Sequence, residues 1–245
     1  MKILITDNQL NDEAARLSEK LNAPIVTIEE PGEVYLFVSE KGLSLKSNGQ
    51  EIYGDFSRLT KRLNKSNLLG ETIVRAVKIK GSDSVTVIDA TAGLGEDSFL
   101  LAAAGNRVIL FERDPVIAEL LDDALRRASL DDKLSAIVER MTLIKGDSIR
   151  EMKAYQGKAD VVLLDPMFPE REKSSLVKKK FQLIHCLEEP CSDEQELLEA
   201  AKAVQPEKIV IKRPQKGPYL AGEKPNHSFD GKSIRYDVII PQKKI

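Results

Sequence analysis

The chain has no tryptophan, only two cysteines and only two histidines in 245 residues. So few soft or imidazole ligands exclude a disulfide scaffold and a zinc-ribbon protein. Cys186 and Cys191 stand five apart with acidic residues between them, which is no zinc spacing. His185 and His227 have no cysteine or carboxylate at metal spacing, so no metal is expected. No apolar run approaches the roughly 20 residues that a spanning helix needs. The start, Met1-Lys-Ile-Leu-Ile-Thr-Asp7, turns acidic too soon for a signal peptide. A reduced, cytoplasmic protein without a membrane partner is the expectation. An excess of one charge is also missing, since 37 Lys and Arg face 39 Asp and Glu. A nucleic-acid partner would therefore have to meet local basic patches.

What the chain does have is an ordinary globular composition, 42% hydrophobic and 31% charged. Its length allows one large domain or one domain plus a small one. The stretch Val85-Thr-Val-Ile-Asp-Ala-Thr-Ala-Gly-Leu-Gly-Glu-Asp97 organises it. Val85, Val87 and Ile88 read as a buried parallel strand that Asp89 ends. Ala90, Ala92, Gly93 and Gly95 form a small-residue loop, and a helix follows from Asp97 to a cap at Gly105. Glycine lets a ligand approach the backbone, and the helix start offers free N–H groups. The dinucleotide fingerprint wants a third glycine, where this chain has Ser98, so a pyrophosphate is disfavoured. An acid at the strand end suits a ligand with an amino group and hydroxyls, a description that fits S-adenosyl-L-methionine (SAM). A ligand-free turn between strand and helix is the plain alternative.

Beyond this element strand and helix alternate. Strands are predicted at Arg107–Phe111, Met141–Lys145, Asp160–Leu164 and Lys208–Lys212, with Ile234–Ile240 as an antiparallel edge. Such repeats imply a parallel sheet with helices on both faces, which binds ligands at the carboxyl ends of its strands. Asp89, Glu112, Asp147 and Asp165 stand at those ends. Glu112 lies 23 residues after Asp89, the usual place for a carboxylate on ribose hydroxyls. Asp147, beside Ser148, suits an adenine amine or a helix N-cap. Glu96 and Asp97 open a helix, where carboxylates are favoured even without a ligand.

Asp165-Pro-Met-Phe-Pro169 follows the arrangement D/N-P-P-Y/F of amino-group methyltransferases. A base amine is a poor nucleophile because its lone pair is delocalised. A carboxylate accepting its N–H bonds aims that lone pair at a sulfonium methyl and stabilises the charge that develops. Pro166 stiffens the loop, and Phe168 offers a ring for base stacking.

Together with Asp89–Gly95 and this loop, Phe111-Glu-Arg-Asp-Pro115, Lys173-Ser-Ser-Leu-Val-Lys-Lys179 and Val210-Ile-Lys-Arg-Pro214 resemble the ribosomal RNA small-subunit methyltransferase J family. The resemblance is close over residues 70 to 215. It implies a Rossmann-like class I SAM-dependent α/β fold that methylates N2 of a guanosine in 16S rRNA, as free rRNA or as the 30S particle. It places SAM contacts at Glu96, Asp97, Glu112, Arg113, Asp147, Ser148 and Asp165, beside Asp89, Gly93 and Gly95 of the loop. Glu96 stands where the family has arginine, and Asp147 where it often has serine. Asp165, Pro166 and Phe168 are the candidate catalytic residues.

The expected organisation is a small N-terminal α+β lobe over 1–56, a bridging helical segment over 57–80 and the methyltransferase domain over 81–245. In the lobe, strands are expected at Lys2–Thr6 and Ile25–Ile28, a helix at Asn11–Leu21 and a hairpin of Val34–Val38 with Leu43–Lys46. The bridge is expected to continue as a helix over Leu68–Val77. Residues 171–180 carry net +4. Lys173, Lys178, Lys179 and Lys180, with Lys212 and Arg213 at the fifth strand end, are the expected RNA contacts. Lys208 and Lys216 are expected on the same rim. Arg58, Lys61, Arg62 and Lys65 are a solvated face or a phosphate contact. A monomer is expected. Another RNA or DNA remains an alternative substrate. A nicotinamide oxidoreductase would leave the Asp-Pro motif unexplained, and a non-catalytic RNA-binding module would leave the strand-end acids unexplained.

Overall fold

The computed structural model describes residues 1–166 and 193–242. The larger of its two sheets contains β6 (Thr86–Asp89), β7 (Arg107–Glu112), β8 (Met141–Lys145), β9 (Val161–Leu164), β10 (Lys208–Pro214), β11 (His227–Asp230) and β12 (Ile234–Ile239). Their order is β8-β7-β6-β9-β10-β12-β11. Strands β6 to β10 pair in parallel, and β12 pairs antiparallel with both β10 and β11. This is the Rossmann-like α/β sheet. β12 is antiparallel as expected, but it is not the edge. The edge is β11, whose His-Ser-Phe-Asp sequence is largely exposed and carries no apolar run to announce it.

Alternate residues of the parallel strands feed two separate cores, which is why those strands read as continuous apolar runs. Val87, Val161 and Leu163 face one layer with Phe99 and Leu100 of α4 (Glu96–Ala103). Ile88, Val162 and Leu164 face the other, with Met152 of α7 (Ser148–Ala154) and Leu197 and Leu198 of α8 (Glu194–Ala203).

The second sheet, in the order β2-β1-β3-β4-β5, is formed by β1 (Lys2–Ile5), β2 (Ile25–Val26), β3 (Tyr35–Ser39), β4 (Gly42–Ser47) and β5 (Gln50–Ile52). β5 was not foreseen. The α1 helix (Asn11–Leu21) buries Ala14 and Leu17 against this sheet. The lobe is fastened through α5 (Pro115–Ser129), whose Val116 and Leu120 enter the lobe's core while Leu121 and Ala124 enter the main one. Buried Glu119 pairs with Lys20 of the lobe and Lys145 of β8, each at 2.7 Å. Asp123 accepts the Leu43 N–H at 3.0 Å.

The bridge is a 3-10 helix (Phe56–Arg62) followed by α2 (Lys65–Gly70) and α3 (Thr72–Val77). A single helix over Leu68–Val77 was expected. Glu71 breaks it in an extended conformation, and its carboxylate grips the Arg62 guanidinium with two bonds of 2.7 Å.

Candidate cofactor and acceptor site

The carboxyl ends of β6, β7, β8, β9 and β10 converge beside the glycine loop. Asp89 is buried, and its two oxygens accept from the Ser98 hydroxyl at 2.6 Å and the Thr91 N–H at 3.1 Å. Burial pushes this carboxyl up to about 6, against the pull of those two bonds. Asp89 therefore shapes the loop from beneath. Ser98, read from the sequence only as a missing glycine, is the hydroxyl that anchors it.

Gly95 is the residue before α4 and has φ +74; a Cβ there would lie 2.7 Å from Leu121 Cδ1. Glycine is needed both for the left-handed backbone and for the close approach. Gly93 has φ +54, and among the described residues a Cβ there would meet nothing within 4 Å. The loop thus presses on the core at one glycine and faces open space at the other.

Glu112 closes this space from β7. Its oxygens accept the Gly93 N–H at 2.8 Å and the Asp114 N–H at 2.9 Å. Burial pushes its carboxyl up to about 7, although both N–H bonds pull the other way. Each oxygen keeps a lone pair for a further donor, which is what a pair of ribose hydroxyls would require. The glycine loop, the start of α4 behind it and this rimming carboxylate fit SAM. Arg113, next along, is exposed.

Asp147 caps α7 by accepting the Arg150 N–H at 2.9 Å. Of its two sequence readings the cap is formed, and Ser148 is the first helical residue. Glu96 is exposed on the first turn of α4.

Asp165 follows β9. Its N–H donates to Thr91 Oγ1 at 2.7 Å, which ties the Asp165-Pro166 segment to the glycine loop. Its carboxylate pairs with Lys212 Nζ at 2.8 Å, and the same ammonium pairs with Asp97 at 2.7 Å. Burial raises the Asp165 carboxyl above its ordinary value, while Lys212 opposes that rise. For Lys212 burial acts downward, but Asp165 and Asp97 outweigh it and hold the ammonium firmly protonated. Pro166 is buried beside Asp165. Phe168, Lys173, Lys178, Lys179 and Lys180 lie outside the described residues.

Three cations sit differently from the sequence reading. Lys212 is engaged within the acid cluster. The Arg213 side chain has 0% exposure and pairs with Glu194 at 2.9 Å, so it presents no guanidinium to an RNA phosphate. Consecutive strand residues point to opposite faces, and only one of this pair can reach the site. Lys208 lies at the other end of β10 and donates to the carbonyls of Ala76 and Lys78 that end α3. Of the four cations near β10, Lys216 is exposed.

The sequence reading also passed over Arg235. This buried residue pairs with Asp237 and donates to the carbonyls of Pro214, Gln215 and Gly217, which pins the turn leaving β10. Its carbonyl partners come from a turn about 20 residues away, so no local pattern marks the role.

A family model of SAM-dependent methyltransferases matches residues 18–241. Ribosomal RNA small subunit methyltransferase J of Pseudomonas fluorescens is 42% identical over 241 residues, 95% of this chain and 91% of that protein. The enzyme of the same name from Thioalkalivibrio sulfidiphilus is 39% identical over 248 residues, 98% of this chain and 97% of that protein. A SAM-dependent methyltransferase of Neisseria gonorrhoeae, known as a crystal structure, superposes with a TM-score of 0.77 at 34% identity. The match covers 100% of this chain and 98% of that one.

Proposed function

This chain belongs to the ribosomal RNA small subunit methyltransferase J family of SAM-dependent methyltransferases, and on that premise we propose that it methylates the N2 amine of a guanosine in small-subunit rRNA. The observation that carries the reading is Asp165, a strand-end carboxylate tied by Thr91 to the cofactor loop and followed by Pro166. SAM supplies an electrophilic sulfonium methyl. Asp165 accepts the amine's N–H bonds, turns its lone pair toward that methyl and stabilises the positive charge that grows on nitrogen. An exocyclic amine is too weak an acid to ionise first, so its proton leaves during or after transfer. Phe168 stacks on the extruded base.

Labelled methyl transfer from SAM to 30S particles, free rRNA and DNA tests this reading. Label appearing in N2-methylguanosine after digestion of the rRNA is expected; label only in DNA would replace the proposal. The enzyme acts as a cytoplasmic monomer in this reading, which sedimentation at working concentration checks. No group of side chains able to hold a metal ion is found among the described residues, and no helix there is long and apolar enough to cross a membrane.

Glu112 holds the SAM ribose in this reading, so Glu112→Ala is expected to weaken SAM binding by about 1–3 kcal/mol. The charged form is the better acceptor, so SAM binding should lower the Glu112 pKa and release a proton. Affinity should therefore rise as pH climbs through about 7. Calorimetry in buffers of different ionisation enthalpy reads that proton, and Glu112→Gln should abolish its release. Folding stability responds in the opposite sense. Because burial raises the folded pKa, Glu112's contribution is greatest below its unfolded value and is lost as pH rises through about 7.

Lys178, Lys179 and Lys180 contact phosphates in this reading. Neutralising all three should weaken RNA binding and flatten its salt dependence by about 0.7–0.9 log-log units per lost contact, with SAM affinity unchanged. An unchanged salt slope would make the run a solvated face. Lys61 and Lys65 are exposed on the bridge and form the natural second set to neutralise.

A further inference from the structure

Lys212 sits where three parts of the site meet. Its ammonium bridges Asp97, on the first turn behind the glycine loop, and Asp165, at the head of the acceptor loop. Those carboxylates are 68 residues apart in the chain but within reach of one nitrogen. Without a cation between them they would repel across a partly dehydrated gap. Lys212 is held from behind by the sheet, where β10 lies between β9 and β12, with Tyr236 directly opposite it on β12.

We propose that Lys212 is a positioning residue for methyl transfer, which keeps Asp165 ionised and aimed at the target amine and couples it through Asp97 to the cofactor turn. This inference deepens the functional reading above and rests on it for the identity of the amine. The argument is geometric. The Asp165 backbone is fixed by Thr91, its side chain is fixed by Lys212, and Asp97 fixes the Lys212 ammonium in turn. A carboxylate with one oxygen engaged by a fixed cation retains its second oxygen and remaining lone pairs for N–H donors. The Asp165 side chain keeps 38% of its surface open, the face that an incoming base can use. Among the described residues, the charged and titratable groups around Asp165 are Lys212 and Arg213 of β10, Asp97 of α4, Asp89 of β6 and Tyr236 of β12. Of these, Lys212 alone gives Asp165 a salt bridge among the described residues. Its loss would leave burial and the acidic neighbours Asp97 and Asp89 favouring the neutral acid, which accepts N–H bonds poorly, with Arg213 as the remaining opposing charge among the described residues.

The test uses Lys212→Met and Lys212→Arg in the full chain, with a reading that needs no RNA. Carboxyl-labelled aspartate gives Asp165 an NMR titration, assigned by its disappearance in Asp165→Asn. The midpoint should move to higher pH in Lys212→Met and return toward the wild-type value in Lys212→Arg. In parallel, single-turnover methyl transfer at saturating SAM and RNA should fall about 10–100-fold in Lys212→Met. The acid limb of the pH–rate profile should shift the same way as the titration. In the Asp165→Asn background, Lys212→Met should cost little more, because the two residues act as a unit.

An unmoved Asp165 titration in a folded Lys212→Met protein would overturn the proposal. So would a loss of SAM affinity alone, which would make Lys212 a cofactor contact. So would a flattened salt dependence of RNA binding with normal single-turnover chemistry, which would restore Lys212 to the RNA surface. If the wild-type chain methylated no small-subunit RNA, the functional reading would fall while the titration still decided the role of Lys212.

Discussion

Asp165→Ala is expected to lower the single-turnover rate of methyl transfer by about 10²–10³-fold at saturating SAM and RNA, a loss typical of removing one preorganised electrostatic contact from a reacting centre. Asp165→Asn should lose less, since it keeps a carbonyl that accepts an N–H bond and surrenders only the charge. Both variants should fold, because the Asp165 side chain is partly open and belongs to neither apolar core. Its N–H bond to Thr91 comes from the backbone and survives either change. Each substitution also frees Lys212 from one of its two partners, leaving Asp97 to hold it. A modest loss of SAM affinity is therefore expected alongside the loss of rate, and saturating SAM separates the two. A near wild-type rate for the alanine variant would move the acceptor role to another group of the loop.

The second large effect concerns Phe99 in α4, the helix that starts at the glycine loop. Its side chain is wholly buried and stacks on Phe56 of the bridge, with ring centroids 4.7 Å apart and planes 6° from parallel. Phe99→Ala removes a core ring and the surface on which the bridge rests. A cost of about 3–5 kcal/mol is expected, a large share of the roughly 5–15 kcal/mol typical of a whole domain. Chemical denaturation should show a lower midpoint. Protease sensitivity should appear first around the 3-10 helix Phe56–Arg62, which loses its anchor. Phe56→Ala should cost less in combination with Phe99→Ala than alone, because the two rings are each other's contact. A midpoint within error of wild type would mean that the bridge is held by other contacts, chiefly the Arg62–Glu71 pair.

The two predictions divide along the line between what is local in the chain and what is not. Asp165 was legible in the sequence because its signal is local: an apolar run, an acid at its end, a proline next. The same holds for Asp89, Glu112 and the glycines. Strand period, helix period and the residues that end each element are written within a dozen positions, so the parallel sheet and its ligand-binding end are legible in the sequence. β11 and β5 escaped because short, half-exposed strands need little apolar sequence, and the helix over Leu68–Val77 was misjudged because Glu71 answers to Arg62 rather than to its own helix.

What the sequence alone determined is therefore the class of fold, the acids at its strand ends and the chemistry they invite. Tertiary structure decided which way the cations turn. Lys212 and Arg213 are adjacent and read alike, but a strand sends neighbours to opposite faces. One enters the acid cluster with Asp97, 115 positions away, and the other is buried against Glu194. Burial makes those pairings necessary, because a charge taken out of water must find its counter-charge. Only the order of strands in the sheet determines which carboxylate is within reach.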